Sequence, residues 1–219
     1  MINSTEWVSV PEQFLAESNE AVDWIYTATG SLSFPRTDRC KAAATCFAIA
    51  QEHHESIVVL AEHRLFATCL ALVRVVFDAY VRGVWLSICA TDKEVERFIA
   101  FKEPPPMADL VKAIDEHPDF EGGYLSGYKA TAYKALCDLT HTGGRQVQRW
   151  DKVDAIEPNY RLEEILDAIR VSRSIALLSV LGVITLVDDT DIALAAVREF
   201  MMMRDRFAPV PTEQPQVGA

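Results

Sequence analysis

Three charged residues at intervals of four, Arg74, Asp78 and Arg82, interrupt an otherwise apolar stretch at residues 65–90. At this spacing they stack on one face of a single helix. A carboxylate between two guanidiniums orients both, and such a pair suits a phosphate or carboxylate through its forked donors. The pattern is equally typical of an internal salt-bridge network that fixes helix register. The residues alone leave both interpretations open.

The second polar group is the segment THTGGRQVQR at residues 140–149. Histidine exchanges protons near neutral pH, and His141 stands at a predicted helix end. A helix C-cap with a left-handed glycine explains His141 and the glycine pair, but not the other polar residues. The candidate catalytic groups in this segment are His141, Arg145 and Arg149, and the candidate ligand contacts are Thr142, Gly143, Gln146 and Gln148, together with Arg74, Asp78 and Arg82.

The segment QEHHES at residues 51–56 invites comparison with a carboxylate-bridged metal site. Such sites need Glu-x-x-His from paired helices, and neither that motif nor HExxH occurs. We therefore expect no metal and no cofactor, and we interpret His53 as a core histidine bonded to a carbonyl, with His54 beside it. Glycine-rich nucleotide loops and the GxSxG elbow do not occur either.

The elements that position these groups are predicted to be helices. Apolar residues recur at helical spacing, and no useful length alternates with period two. The predicted helices cover residues 12–30, 38–62, 65–90, 93–101, 107–115, 124–140, 161–187 and 189–206, with a loop at 140–150. We predict an all-α, single-domain antiparallel bundle over residues 1–206, with four long helices, shorter inserted ones and a disordered tail at 207–219.

Composition narrows the classes of partner. The net charge of −11 argues against a general nucleic-acid or anionic-membrane surface. Three charges near the middle of residues 65–90 make a membrane span costly. The five cysteines are odd in number and have no CxxC spacing, which favours free thiols. With no secretory signal visible, we expect a cytoplasmic protein that does not enter a membrane.

Three blocks, EHHESIVVL, LALVRVVFDAYVRGVWL and YKALCDLTHTGGRQVQRW, resemble an uncharacterised bacterial domain family over residues 40–190. More distantly, the chain is similar to the HEPN superfamily of helical bundles, which includes ribonuclease toxins, antiphage effectors and non-catalytic binding modules. Catalytic HEPN proteins place Arg-x(4–6)-His at a helix end. Here Lys134 stands seven positions before His141, and lysine lacks bidentate geometry. Arg145, Arg149 or the arginines of the helix could replace it.

Two functions follow from these patterns. The first is a HEPN-like binding or interaction module for a small anion, a nucleotide or a protein partner, in a bacterial defence or toxin system. The alternative is a metal-independent endoribonuclease, in which His141 transfers the proton and arginines stabilise the phosphorane, with RNA as substrate. The HEPN resemblance implies a homodimer in either case. Convergence of His141, Arg145 and Arg149 on Arg74–Asp78–Arg82 in one accessible cleft would favour an active site or phosphate pocket, whereas separation would favour the structural interpretations.

Overall fold

The computed structural model describes residues 8–120, 123–152 and 154–207, and most of them lie in helices. The helices are α1 (Glu12–Gly30), α2 (Asp38–Glu62), α3 (Phe66–Val84), α4 (Asp92–Ile99), α5 (Met107–Asp115), α6 (Tyr124–Tyr128), α7 (Lys134–Thr140), α8 (Gly144–Gln148), α9 (Leu162–Ile184) and α10 (Thr190–Phe207). π-Helical segments at Trp85–Cys89 and Lys129–Tyr133 extend α3 and join α6 to α7. The predicted all-α class is confirmed.

Local signals in the sequence account for several helix starts. Pro11 precedes α1, where its fixed φ suits a helix start. The Thr37 hydroxyl accepts from the Cys40 amide at the start of α2. Thr91 is the N-cap of α4 and forms a reciprocal capping box with Glu94.

Helices α2, α3 and α9 pack against one another around Phe47, which is fully buried. A Cβ at Gly83 of α3 would lie 2.6 Å from the Phe47 ring, and one at Gly182 of α9 would lie 2.5 Å from it. The two glycines therefore let a large ring sit directly on the backbones of both neighbouring helices. A second apolar cluster joins α1, α9 and α10, with Ile25, Val180 and Phe200 among its buried members.

The histidine that α2 buries is not the predicted one. His53 is only half-buried, whereas His54 is fully buried. His54 bonds to the hydroxyl of Ser172 on α9 rather than to a carbonyl. The interpretation of His53 as the core histidine was therefore wrong by one position, because the packing of α2 against both α3 and α9 sets which side turns inward.

The segment predicted as a loop at 140–150 contains the short helix α8 and leads into a hairpin. Strand β1 (Asp151–Lys152) pairs antiparallel with β2 (Ala155–Ile156). The predicted tail lies outside the described residues from 208 onward, and α10 includes residue 207. Within the described ranges no helix is long and apolar enough to cross a membrane. All five cysteines are free thiols.

Candidate functional site

Helix α3 and the segment α6–α7 run antiparallel and face each other with polar residues. Arg74 Nε lies 3.5 Å from Asp78 Oδ2, and the Tyr133 hydroxyl donates to Asp78 Oδ1 at 3.0 Å. Arg74 and Asp78 keep only 20% and 13% of their side-chain surface exposed. The carboxylate of Asp78 therefore holds a largely covered guanidinium in place with help from a tyrosine on the opposite helix.

His141 reaches the same guanidinium from the end of α7. Its Nε2 lies 2.5 Å from Arg74 Nη1. A guanidinium has only donors, so Nε2 must accept and the ring proton must be on Nδ1. In this arrangement the imidazole is neutral, and its exposed ring stands at the surface beside Arg74. His141 thus meets the charged helix, whereas Arg149 pairs with Glu164 on α9, so the structure shows only part of the convergence that would favour a functional site.

Aromatic and charged neighbours tune this cluster. The Arg74 guanidinium carbon lies 5.2 Å from the centroid of the Tyr133 ring, and Lys129 Nζ lies 5.8 Å from the same centroid. Burial raises the pKa of the Asp78 carboxyl, and the Tyr133 hydrogen bond and the charges of Arg74 and Arg82 oppose that rise. Burial also raises the pKa of the Tyr133 hydroxyl, which keeps it protonated as a donor.

The residues around Arg74 favour the charged form of its guanidinium. Burial by itself lowers the pKa of a guanidinium, but the interactions with Tyr133 and Asp78 outweigh it and raise the pKa of Arg74. Arg82, one turn beyond Asp78, is half-buried and has no ion pair or hydrogen bond within the described part of the chain. Its charge acts on Asp78 through space. Of the three charged residues of α3, Arg74 and Asp78 thus form an ion pair, and Arg82 is a further cation.

The turn after α7 places His141 at the helix C-cap. Thr142 has φ +54°, and the Gly143 amide donates to the Asp138 carbonyl at 2.7 Å, as in a Schellman motif. The predicted left-handed glycine was wrong, since Thr142 takes that conformation while Gly143 has φ −73°. Gly143 is needed for space, because its Cβ would lie 1.8 Å from Asp138 Oδ1. Asp138 Oδ2 also accepts from the Arg145 amide at 2.7 Å.

The other candidate residues are spread around this turn. Arg149 forms a forked pair with Glu164 on α9 at 2.7 and 3.2 Å and also donates to the Arg145 carbonyl. Its guanidinium therefore ties the loop to α9. The side chains of Lys134, Arg145 and Gln148 are exposed.

Gln146 behaves differently from the rest of the loop. It is only 7% exposed, and its Nε2 donates to the Ala67 carbonyl of α3 at 3.0 Å. Its Oε1 has no hydrogen-bond partner in the described residues. Because that oxygen has almost no accessible surface, the observed role of Gln146 is to link the loop to α3.

Tyr133 and Lys129 are parts of the site that the sequence interpretation missed. A signal for Tyr133 was present, since Tyr133, Cys137 and His141 recur at intervals of four, like Arg74, Asp78 and Arg82. When two such rows of residues lie on neighbouring antiparallel helices, side chains at matching positions come into contact. No signal in the sequence marked Lys129, which reaches Tyr133 by way of the π-helical segment.

The histidine-rich helix α2 is separate from this cluster. The His54 Nδ1 lies 2.9 Å from the Ser172 hydroxyl, which itself donates to the Ile169 carbonyl. Burial lowers the pKa of His54 to about 3, with a smaller contribution from the charge of Arg173. In the described ranges no group of three or more His, Cys, Asp or Glu side chains could hold a metal.

Comparison with known proteins gives one family match. The model of a family of unknown function, DUF6988, matches residues 47–207, which include both helices of the cluster and the His141 turn. No curated protein and no solved structure matches the chain.

Proposed function

The chain belongs to the DUF6988 family, and from the geometry above we propose that it is a HEPN-like helical binding module for a phosphate-bearing ligand. The observation that carries this proposal is the hydrogen bond between Arg74 and His141. It places a charged guanidinium and an imidazole side by side at the surface, and Asp78 and Tyr133 hold the guanidinium from behind.

A phosphate carries more negative charge than a carboxylate, so it gains more from several nearby cations. Arg74 donates to His141 through Nη1, and its Nε, 3.5 Å from Asp78 Oδ2, has no hydrogen-bond partner in the described residues. Arg82 and Lys129 add positive charge next to the cluster. The overall net charge of −11 means that this local group of cations stands out against an acidic protein.

Titration of the full chain with pyrophosphate and with a nucleoside monophosphate tests the proposal. We expect Arg74→Gln to weaken binding by at least about tenfold, because a charge-assisted hydrogen bond is lost. Arg36→Gln is the matched control, since it removes one exposed positive charge from the loop before α2. Absence of binding to the wild type at millimolar ligand, or equal affinity in Arg74→Gln and wild type, would overturn the proposal.

A second function, metal-independent cleavage of RNA, is favoured by the position of His141 beside Arg74. Arg74 occupies the Nε2 lone pair, so the imidazole would take a proton from a ribose 2′-hydroxyl only after the guanidinium has turned to the phosphate. In that reaction the 2′-oxygen bonds to phosphorus, the bond to the 5′-oxygen breaks, and that oxygen takes up a proton from the imidazolium. Arg74 and Arg82 would stabilise the charge on phosphorus. The HEPN resemblance adds the proposal that two copies pair, in a defence or toxin system.

RNA incubated with the protein in excess chelator distinguishes this second function from binding alone. Cleavage that leaves 2′,3′-cyclic phosphate ends and disappears in His141→Ala supports the ribonuclease. Intact RNA together with measurable binding of pyrophosphate supports the binding module. Light scattering of the purified chain tests the proposed dimer.

A further inference from the structure

The aromatic ring of Tyr133 has two cations beside it. The guanidinium carbon of Arg74 lies 5.2 Å from the ring centroid, and Nζ of Lys129 lies 5.8 Å from the same centroid. The two cationic groups are therefore at most about 11 Å apart, which is the sum of those two distances. The ring is held in place, because its hydroxyl donates to Asp78 at 3.0 Å and its centroid lies 5.8 Å from that of the Phe77 ring.

The two cations approach Tyr133 from opposite directions along the helical segment. Arg74 bonds to His141, which follows Tyr133 at the end of α7. Lys129 precedes Tyr133 and begins the π-helical segment that joins α6 to α7. This order favours positions on opposite sides of the ring, with a separation near the limit given above. Single π-helical turns of this kind are frequent at functional sites.

Lys129 is a half-buried cation without a carboxylate partner. Its ammonium forms no ion pair with the residues that the structure describes, and its contact is with the Tyr133 ring. Arg74, by contrast, has Asp78 beside it. In a chain of net charge −11, an unpaired lysine next to an arginine is unusual, and the two positive charges repel each other. An anion in contact with both would turn that repulsion into attraction.

Arg74 offers a ligand only part of its guanidinium. Nε has almost no accessible surface, and Nη1 donates to His141. A phosphate therefore meets the remaining edge of the guanidinium, beside the imidazole, through contacts of about 3 Å. A single phosphate in that position does not extend past the Tyr133 ring to Lys129. A second phosphate linked to the first can do so.

We propose that the site takes two linked phosphate groups, with the first at Arg74 and His141 and the second at Lys129. The inference rests on the proposed function for the first position, and it adds the class of ligand and the residue that selects it. Lys129 suits the second phosphate because its ammonium is a compact charge with three donors on a flexible stem. The diphosphate of a nucleotide and two successive phosphates of a nucleic-acid strand both present this chemistry.

Calorimetric titration of the full chain with orthophosphate, pyrophosphate, ADP and the dinucleotide pApA tests the inference. We expect pyrophosphate to bind about tenfold more tightly than orthophosphate, because one charge-assisted contact is added. Lys129→Gln should lower the pyrophosphate affinity about tenfold and leave the orthophosphate affinity nearly unchanged. Lys129→Arg keeps the positive charge and should keep the preference. Lys41→Gln, which removes an exposed lysine from α2, is the control and should change neither affinity.

The ligand set separates failure of this inference from failure of the proposed function. Equal affinities of the wild type for orthophosphate and pyrophosphate, or equal losses for both in Lys129→Gln, would overturn the second phosphate position. If pyrophosphate binding still depends on Arg74 in that case, the proposed function stands. If Lys129→Gln weakens pyrophosphate binding and Arg74→Gln does not, both the proposed function and this inference are overturned.

The two nucleotide ligands identify the source of the linked phosphates. Tighter binding of ADP than of pApA would support a nucleotide diphosphate, and the reverse order would support a strand. Lys129→Gln keeps most of the side-chain stem, so it should keep the melting temperature of the wild type. A loss of affinity at an unchanged melting temperature then reports on the ligand contact and not on the fold.

Discussion

His54 and His141 each have an arginine as charged neighbour, yet they lie in opposite environments. His54 is fully buried between α2 and α9, and Arg173 acts on it only through its charge. His141 is exposed at the end of α7 and accepts a hydrogen bond from Arg74. A ligand can reach the second imidazole and not the first. The comparison shows what identifies the candidate site: an imidazole that a ligand can reach, with a guanidinium donor fixed beside it. The number of nearby histidines does not identify it.

The largest expected difference between the two histidines is in stability. His54→Ala removes the bond to Ser172 and leaves a cavity in a packed core, which should lower the free energy of unfolding by about 3 kcal/mol. His141→Ala lies at the surface and should cost less than about 1 kcal/mol. Urea unfolding of both variants measures the difference. Similar losses in the two variants would show that the His141 turn is as integral to the fold as the core.

The pH dependence of stability sharpens the same contrast. Unfolded His54 takes up a proton below its ordinary pKa of 6.5, whereas burial lowers its folded pKa to about 3. The unfolded state therefore binds more protons in between, and the stability that the neutral ring contributes above pH 6.5 is lost as the pH falls toward 3. Between pH 6.5 and 5 this loss is about 2 kcal/mol.

His54→Leu keeps an apolar group at the position and removes the titration. Its unfolding free energy should fall less steeply than that of the wild type over pH 6.5 to 5, as followed by urea unfolding at each pH. An identical slope in both proteins would mean that His54 is not the group responsible.

Variants of the Arg74–Asp78 ion pair test whether these two residues stabilise the fold together. Arg74→Gln leaves the largely covered Asp78 carboxylate with the Tyr133 hydrogen bond and the more distant charge of Arg82, and should cost about 2 kcal/mol. Adding Asp78→Asn removes the uncompensated charge and should recover part of that loss. Thermal or urea unfolding of the two single variants and the double variant gives the coupling. Strict additivity would indicate that the pair contributes nothing to stability.

Sequence reasoning predicted most helices because apolar residues recur at helical spacing, and the structure shows further local signals at Pro11, Thr37 and Thr91. It missed the side of α2 that faces inward, since adjacent histidines are separated only by packing on α3 and α9. It named Arg74 and His141, but their contact arises from tertiary pairing of α3 with α7.

Gly143 is a glycine because there is no space for a side chain there, and not because its backbone conformation requires one. General substitution preferences do not reveal such a contact. At Gly143 any side chain would meet the Asp138 carboxylate, which is itself held by the Arg145 amide. Its neighbour Gly144 has open space around the Cβ position. Gly143, the glycine predicted as a ligand contact, is thus needed by the turn, whereas Gly144 has room for a side chain.

The smallest expected effect separates these two glycines. Gly143→Ala must displace the Asp138 carboxylate and weaken its bond to the Arg145 amide, so it should cost about 1 kcal/mol and loosen the turn that carries His141. Gly144→Ala meets nothing within 4 Å and occupies the first turn of α8, so it should be neutral or slightly stabilising. Urea unfolding and pyrophosphate titration of both variants give the answer. Equal behaviour of the two would mean that the Asp138 contact does not position His141, and weaker binding in Gly144→Ala alone would mean that Gly144 contacts the ligand.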